Sequence, residues 1–360
     1  MTRWMFGAGD AAARKQMRAL GFTAVTDNRA DLKPEDLPGM ALWRCLPAFS
    51  CRYVQQPDAH LALDPAGTPH KWFGSVCPTL PEARAGNLAH ARRAAAEEGI
   101  AGILIDGCRF SSPASGTNLD SFFTCFCPRC KAKMTALGLD EERITAAVAA
   151  LQKLCHGEAA EMDEPGIRQW LDFRRTVVTE HIRDFVRAVK EVNPALPVGI
   201  YAFSPAMAPW VGQDYAALRE AGIDLFAPMI YRHWKDEDGP ACLNVVVAAM
   251  ARGLEKTLSP AEVKSILEQT CNIPMPSGTG GEIFDRGFAP NIVGLETARA
   301  RMDVGDAALW PILQLQDELL AKSESAALLA GADGVAFFAW NEQGGQWLNK
   351  LDKTPDLTVD

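Results

Sequence analysis

Residues Gly102–Asp106 read GILID, a short apolar run that ends on a carboxylate, with Gly107 directly after it. Such a run, bounded by small residues, has the form of a strand buried on both faces. Working outward, seven more runs rich in Val, Ile, Phe and Trp share this form: Trp4–Ala8, Thr23–Asp27, Ala41–Phe49, Val198–Phe203, Leu225–Tyr231, Leu309–Gln316 and Gly334–Trp340. Helical stretches separate them, and that alternation predicts parallel β/α architecture. Eight strands predict a closed (β/α)8 barrel of the TIM type, whereas an open doubly wound sheet more often shows about five or six and a glycine-rich phosphate loop after the first. The segment GAGDAA after the first strand lacks the third glycine of such a loop, so it reads as a tight turn into a helix with Asp10 near the N-cap.

Helices are expected over Pro81–Glu98, Trp170–Val192, Tyr215–Ala221 and Glu318–Ala330, where apolar residues recur at three- and four-residue spacing. The second stops at Asn193-Pro194, because proline disfavours helix in the residue before it. Phe110 to Gly166 and Lys235 to Ala307 are far longer than ordinary connections. Excursions after strands four and six fall on the C-terminal face of a barrel, where loops build active sites. No repeat, low-complexity tract or linker divides the chain, so residues 1–360 are read as a single domain.

Composition narrows the function. Apolar residues make up 48% and charged residues 22%, as in an ordinary globular protein. Thirty-six Lys and Arg against forty-five Asp and Glu leave a net charge of −9. With no basic stripe interleaved with aromatics, nucleic acid is not the expected partner. No apolar run is long enough to span a bilayer and MTRWMFGAGD lacks the pattern of a signal peptide, which points to no membrane association and to the cytoplasm. The expected partner is a carbohydrate, with a homo-oligomer as a further expectation.

Ten cysteines are too dilute for a disulfide scaffold, but Cys125, Cys127 and Cys130 fall within CFCPRC, a C-x-C-x-x-C turn that lets three thiolates converge on one ion. Zinc takes four tetrahedral ligands, and a closed set of four cysteines is structural because no position is left for water. Cys77, in SVCPTLPEAR, is the expected fourth ligand, with Cys108 the alternate. Cys45, Cys51, Cys155, Cys242 and Cys271 show no such grouping and read as small buried side chains.

Cys77-Pro78, followed some fifty residues later by Cys125-Phe126-Cys127-Pro128-Arg129-Cys130, resembles the zinc site of family 42 β-galactosidases and related glycosidase-like barrels. The likeness extends through GIAGILIDGCRF and WLDFRRTVVTEHIRDFVRAVKEVNP, about a third of the chain. It implies a glycoside-hydrolase barrel with a structural zinc. Family 42 enzymes carry an Asn-Glu pair at the end of strand four, where this chain has Ile105-Asp106-Gly107, and the family's strand-seven glutamate has no clear counterpart. The resemblance therefore carries over the scaffold and the zinc site, not the galactosidase activity.

Asp106 is the first catalytic candidate, as a carboxylate at the C-terminal end of a barrel strand. Glycoside hydrolysis usually needs a second carboxyl group. Asp317 and Glu318, just beyond WPILQLQ, and Glu342, after FFAWN, are the candidates, with Asp10 and Asp27 in reserve. The strand ends also offer substrate-binding groups: Tyr201, Tyr231, Arg232, His233, Trp340 as a sugar platform, and Asn341. Arg44, Arg109 and Arg232, on separate strands, are expected to converge on an anion, which would suit an acidic sugar. Two rival functions stand beside the glycosidase reading: a non-catalytic carbohydrate-binding barrel, and a zinc-dependent hydrolase whose metal keeps an open position.

Overall fold

A computed structural model describes residues 2–236 and 239–339, together with Leu348 and Leu351. Eight parallel strands close into a barrel: β1 (Thr2–Phe6), β2 (Phe22–Asp27), β3 (Ala41–Pro47), β4 (Gly102–Asp106), β5 (Val198–Phe203), β6 (Leu225–Met229), β7 (in two pieces, Ala308–Leu309 and Ile312–Gln314) and β8 (Gly334–Phe338). Neighbours in sequence pair with one another, and β1 pairs with β8 to close the ring. The expected (β/α)8 barrel is the observed fold.

Several strand ends differ from the sequence reading for local reasons. β1 stops at Phe6 because Gly7 turns the chain at φ +84°, and β3 stops at Pro47, two residues before Phe49 at φ +48°. β7 breaks at Trp310-Pro311, since proline has no N–H for the ladder. Ile312 nevertheless pairs with Met229, so the barrel stays closed there.

Side chains two apart along a strand share a face, and the axis is filled in layers. At the N-terminal end Trp4 packs between Trp43 and Trp310 with tilted rings, whose centroids lie 4.8 and 4.6 Å away. Glycine makes room for this layer, because a Cβ at Gly102 would lie 2.3 Å from the Trp43 ring. Two residues further along the strands, Phe6, Tyr201 and Phe338 form a second aromatic layer, with Phe6 5.2 Å from each of the other two. The same alternation turns Gly102, Leu104 and Asp106 inward on β4. Asp106 therefore stands at the mouth of the axis.

Helices wrap the outside: α1 (Ala11–Ala19), capped by Asp10 as expected, and α2 (Pro81–Ala95) after β3. The excursion after β4 holds α3 (Pro128–Ala136) and α4 (Glu141–His156) before α5 (Glu164–Lys190), which starts six residues earlier than periodicity implied because Asp163 caps it and Pro165 occupies its first turn. After β5 comes α6 (Tyr215–Glu220). The excursion after β6 carries α7 (Leu243–Leu254), α8 (Pro260–Cys271), α9 (Gly280–Arg286) and α10 (Asn291–Val304), and α11 (Leu320–Leu329) precedes β8. No helix among the described residues is long and apolar enough to cross a membrane.

Candidate active site

At the C-terminal face a cavity of about 300 Å³ opens above the second aromatic layer, lined by Phe6, Tyr201, Tyr231 and Phe338 below and by Asp106, Arg109 and Phe73 around its mouth. Asp106 Oδ1 accepts a hydrogen bond from Gly107 N at 2.7 Å, a local bond that fixes the carboxyl without neutralising it. Burial raises its pKa above the ordinary aspartate value, and the Arg109 charge and the Gly107 amide reverse this only in part. The group is thus held toward its protonated form. Among the described residues Asp106 is the one carboxylate lining this cavity.

The other expected acids lie elsewhere. Asp317 is locked in a buried ion pair with Arg232, whose Nε is 2.8 Å from Oδ2, and it also accepts from Ser323 Oγ at 3.0 Å. Glu318 is exposed and does not line the cavity. Neither pairs with Asp106 as expected. Glu342, Trp340 and Asn341 lie outside the described residues. Asp27, held in reserve, lines an adjoining cavity of about 950 Å³ that shares Phe6 and Phe338 with the first. Burial works against its charge, but Arg29, Ala8 N and Arg29 N together lower its pKa. Cys45 sits within electrostatic reach of both carboxylates, and after burial they are the groups that push its thiol up. Asp106 and Asp27 are two acids whose surroundings drive their pKa values in opposite directions.

The three arginines do not converge. Arg44 falls between Trp43 and Cys45, which face the axis, so it points outward. There its Nε meets Glu97 Oε2 at 2.8 Å and its guanidinium donates to Arg29 O and Leu32 O. Arg232 turns to Asp317 and donates to Phe288 O at 2.8 Å. His233 packs over Gly287 and is not part of the cavity wall. Tyr201 and Tyr231 do line it, Tyr201 through a short hydrogen bond to Thr26 Oγ1. Arg109 remains as the cavity's guanidinium.

Next to the site, in the loops after β3 and β4, the sulfurs of Cys77, Cys125, Cys127 and Cys130 all lie within 4.8 Å of one another, and all four residues are buried. Cys77 Sγ is 3.6 Å from that of Cys127 and 3.5 Å from that of Cys130, far beyond a disulfide. Cys127 caps α3 and Pro128 fills its first position, so Cys130 sits one turn along on the same end. Cys108, the alternate, is not in the cluster; its carbonyl accepts from Gln213 Nε2 at 3.2 Å.

Arg174, on α5, is a residue the sequence reading passed over. It is fully buried, lies 3.8 Å from the Trp170 ring, and donates to the carbonyls of Phe122, Thr124 and Trp210. It thereby braces the loop that carries the cysteines. Burial drives its pKa well down, and the groups that pull it back up are Cys125 and Cys130. The signal was an arginine on the apolar stripe of Trp170, Phe173, Val177 and Val178.

No family model matches the chain, and no curated protein matches it. Solved structures do. The glycoside hydrolase domain of PgaB (BpsB) from Bordetella bronchiseptica superposes with a TM-score of 0.58 at 13% identity over 99% of both chains. The chain shares the eight-stranded β/α barrel fold of these structures. A β-galactosidase from Marinomonas ef1 gives 0.57 at 11% identity, covering 94% of this chain and 54% of its own. Gan42B, a GH42 β-galactosidase from G. stearothermophilus, gives 0.55 at 11%, covering 91% and 48%. The barrel thus spans about half the length of those two galactosidases and nearly all of the PgaB domain.

Proposed function

We propose that the whole chain is one catalytic barrel that hydrolyses glycosidic bonds at its C-terminal face, with Asp106 as the proton donor. The observation that carries this is a carboxyl with a raised pKa facing the barrel axis in a cavity floored by aromatic rings. Flat apolar rings suit the C–H faces of a sugar, and a carboxyl whose burial favours its protonated form suits a general acid. In the proposed step the Asp106 proton passes to the leaving oxygen as the C–O bond breaks. Water then adds hydroxide to the anomeric carbon, and its other proton restores Asp106. Asp27, kept ionised by Arg29 and two amides, supplies a fixed negative charge that favours the positively charged transition state. The glycosidase neighbours support a carbohydrate substrate.

We assign the cysteine cluster to a structural zinc. Tetrahedral Zn–S bonds of about 2.3 Å imply sulfurs roughly 3.8 Å apart, which matches the 3.5 and 3.6 Å separations from Cys77. A second support is Arg174, a buried cation with no carboxylate beside it among the described residues; a metal carrying four thiolates is a dianion and would balance it. Four sulfurs fill the coordination sphere, and none of them lines the cavity, so this set favours structure over catalysis.

Product analysis separates hydrolysis from binding alone. Oligosaccharide panels incubated with the protein should yield new reducing ends, followed by proton NMR of the anomeric signal. Binding without any new reducing end across the panel would establish the non-catalytic reading instead.

A further inference from the structure

We infer that the substrate carries a carboxylate, and that Arg109 recognises it. This rests on the carbohydrate reading above and narrows it to acidic saccharides. Arg109 is 4% exposed, yet among the described residues it has no carboxylate within ion-pair distance; Asp106 acts on it only through space. Burial lowers its pKa to about 10, so it remains charged at neutral pH. A buried charge without a partner is costly, and natural structures keep one where a ligand completes it.

The guanidinium is oriented. Nη1 donates to Phe110 O at 3.0 Å and to Ser115 Oγ at 2.9 Å, which fixes one corner. The opposite edge, formed by Nε and Nη2, has no acceptor among the described residues and, unlike sealed groups such as Trp170 Nε1, keeps open space beside it. Those two N–H groups are the side-on fork that meets both oxygens of a carboxylate in parallel. The rings of Phe203, Trp72 and Phe73, at 4.8, 5.3 and 5.5 Å from the guanidinium carbon, exclude water around it. Phe73 is itself 59% exposed and held at φ +45°, an uncommon conformation for a bulky residue. It stands over the entrance as a surface on which a second sugar ring can stack. Tyr231, whose hydroxyl has no hydrogen-bond partner among the described residues, and Asp106 complete a pocket whose described lining carries one fixed positive charge.

The test is equilibrium binding to the full chain carrying Asp106→Asn, which prevents turnover. The probes are oligosaccharides of polygalacturonate, alginate and hyaluronan, of the sulfated galactan carrageenan, and of neutral galactan, xylan and mannan. At least one uronate probe should bind about tenfold or more tighter than every neutral one. Arg109→Gln should remove about 10- to 100-fold of that affinity, the usual worth of hydrogen bonds to a charged group. Arg109→Lys, which keeps the charge without the fork, should recover only part of it, and circular dichroism checks that both variants are folded. Preference for neutral probes, preference for the sulfated one with full rescue by lysine, or no binding by any uronate overturns the inference. Uronate binding that depends on Arg109, combined with no hydrolysis by the wild-type protein, would sink the catalytic reading while leaving this one standing.

Discussion

Replacing Arg174 with methionine keeps an unbranched stem as far as the position of Nε and removes the rest of the guanidinium, with its charge and all its donors. Two buried carbonyls, those of Thr124 and Trp210, then lose their partner, while Phe122 O keeps the hydrogen bond it accepts from Thr124 N at 2.8 Å. Each unsatisfied acceptor costs about 1–3 kcal/mol, so the two together cost roughly 2–6 kcal/mol. Loss of the contact with the Trp170 ring adds up to about 2 kcal/mol for a desolvated pair. Against this, the variant no longer has to strip water from a guanidinium, a relief of several kcal/mol. The balance is a destabilisation of about 1–2 kcal/mol. If a zinc tetrathiolate supplies the counter-charge, the same change also weakens metal retention. Urea unfolding of the zinc-loaded protein, with zinc release to a chromogenic chelator followed in parallel, reads both effects. Stability within about 0.5 kcal/mol of wild type and unchanged zinc release would refute both the bracing role of Arg174 and its electrostatic link to the cysteines.

Four further outcomes follow. The protein should contain about one zinc per chain with all-sulfur coordination by X-ray absorption, and Cys127→Ser should lower both zinc content and thermal stability, since the binding energy of a structural metal is folding energy. Gly102→Ala should destabilise by roughly 1–3 kcal/mol or more through overpacking against Trp43, measured by denaturant titration; a neutral effect would contradict the layered packing of the axis. Hydrolysis should fall as pH rises through the raised pKa of Asp106, because only the protonated form donates, and a pH–rate profile lacking a basic limb that Asp106→Asn removes would count against it. The same raised pKa makes a stability contribution that is complete below the unfolded aspartate value and lost as pH rises through the folded one, whereas the lowered pKa of Asp27 contributes above the unfolded value and is lost as pH falls through the folded one. Asp106→Asn should therefore flatten the first dependence and Asp27→Asn the second, in stability measured across pH.

The eight apolar runs were legible because each strand is buried on both faces, and the cysteine cluster because three of its members are local in sequence. Arg44 could have been placed from the same rule that placed Asp106: it alternates with Trp43 and Cys45, so when they face the axis it cannot. The ion pair of Arg232 with Asp317 joins residues 85 apart through the closure of the barrel, and nothing local announces it. The interruption at Trp310-Pro311 was signalled by the proline, although the apolar run around it masked the break. Arg109 was found for its position at the end of β4, but the free edge that gives it significance depends on Ser115, on Trp72 and Phe73 in the loop after β3, and on Phe203 at the end of β5.

The most direct measurement is turnover of a cleaved oligosaccharide by wild type and Asp106→Asn, with binding measured alongside on the same preparations. General-acid catalysis contributes about 10²–10⁴-fold, so the variant should lose activity on that scale while its affinity for the oligosaccharide stays within a few-fold of wild type. Turnover near the wild-type rate, or equal loss of binding and turnover, would contradict the assignment of Asp106 as the proton donor of this barrel.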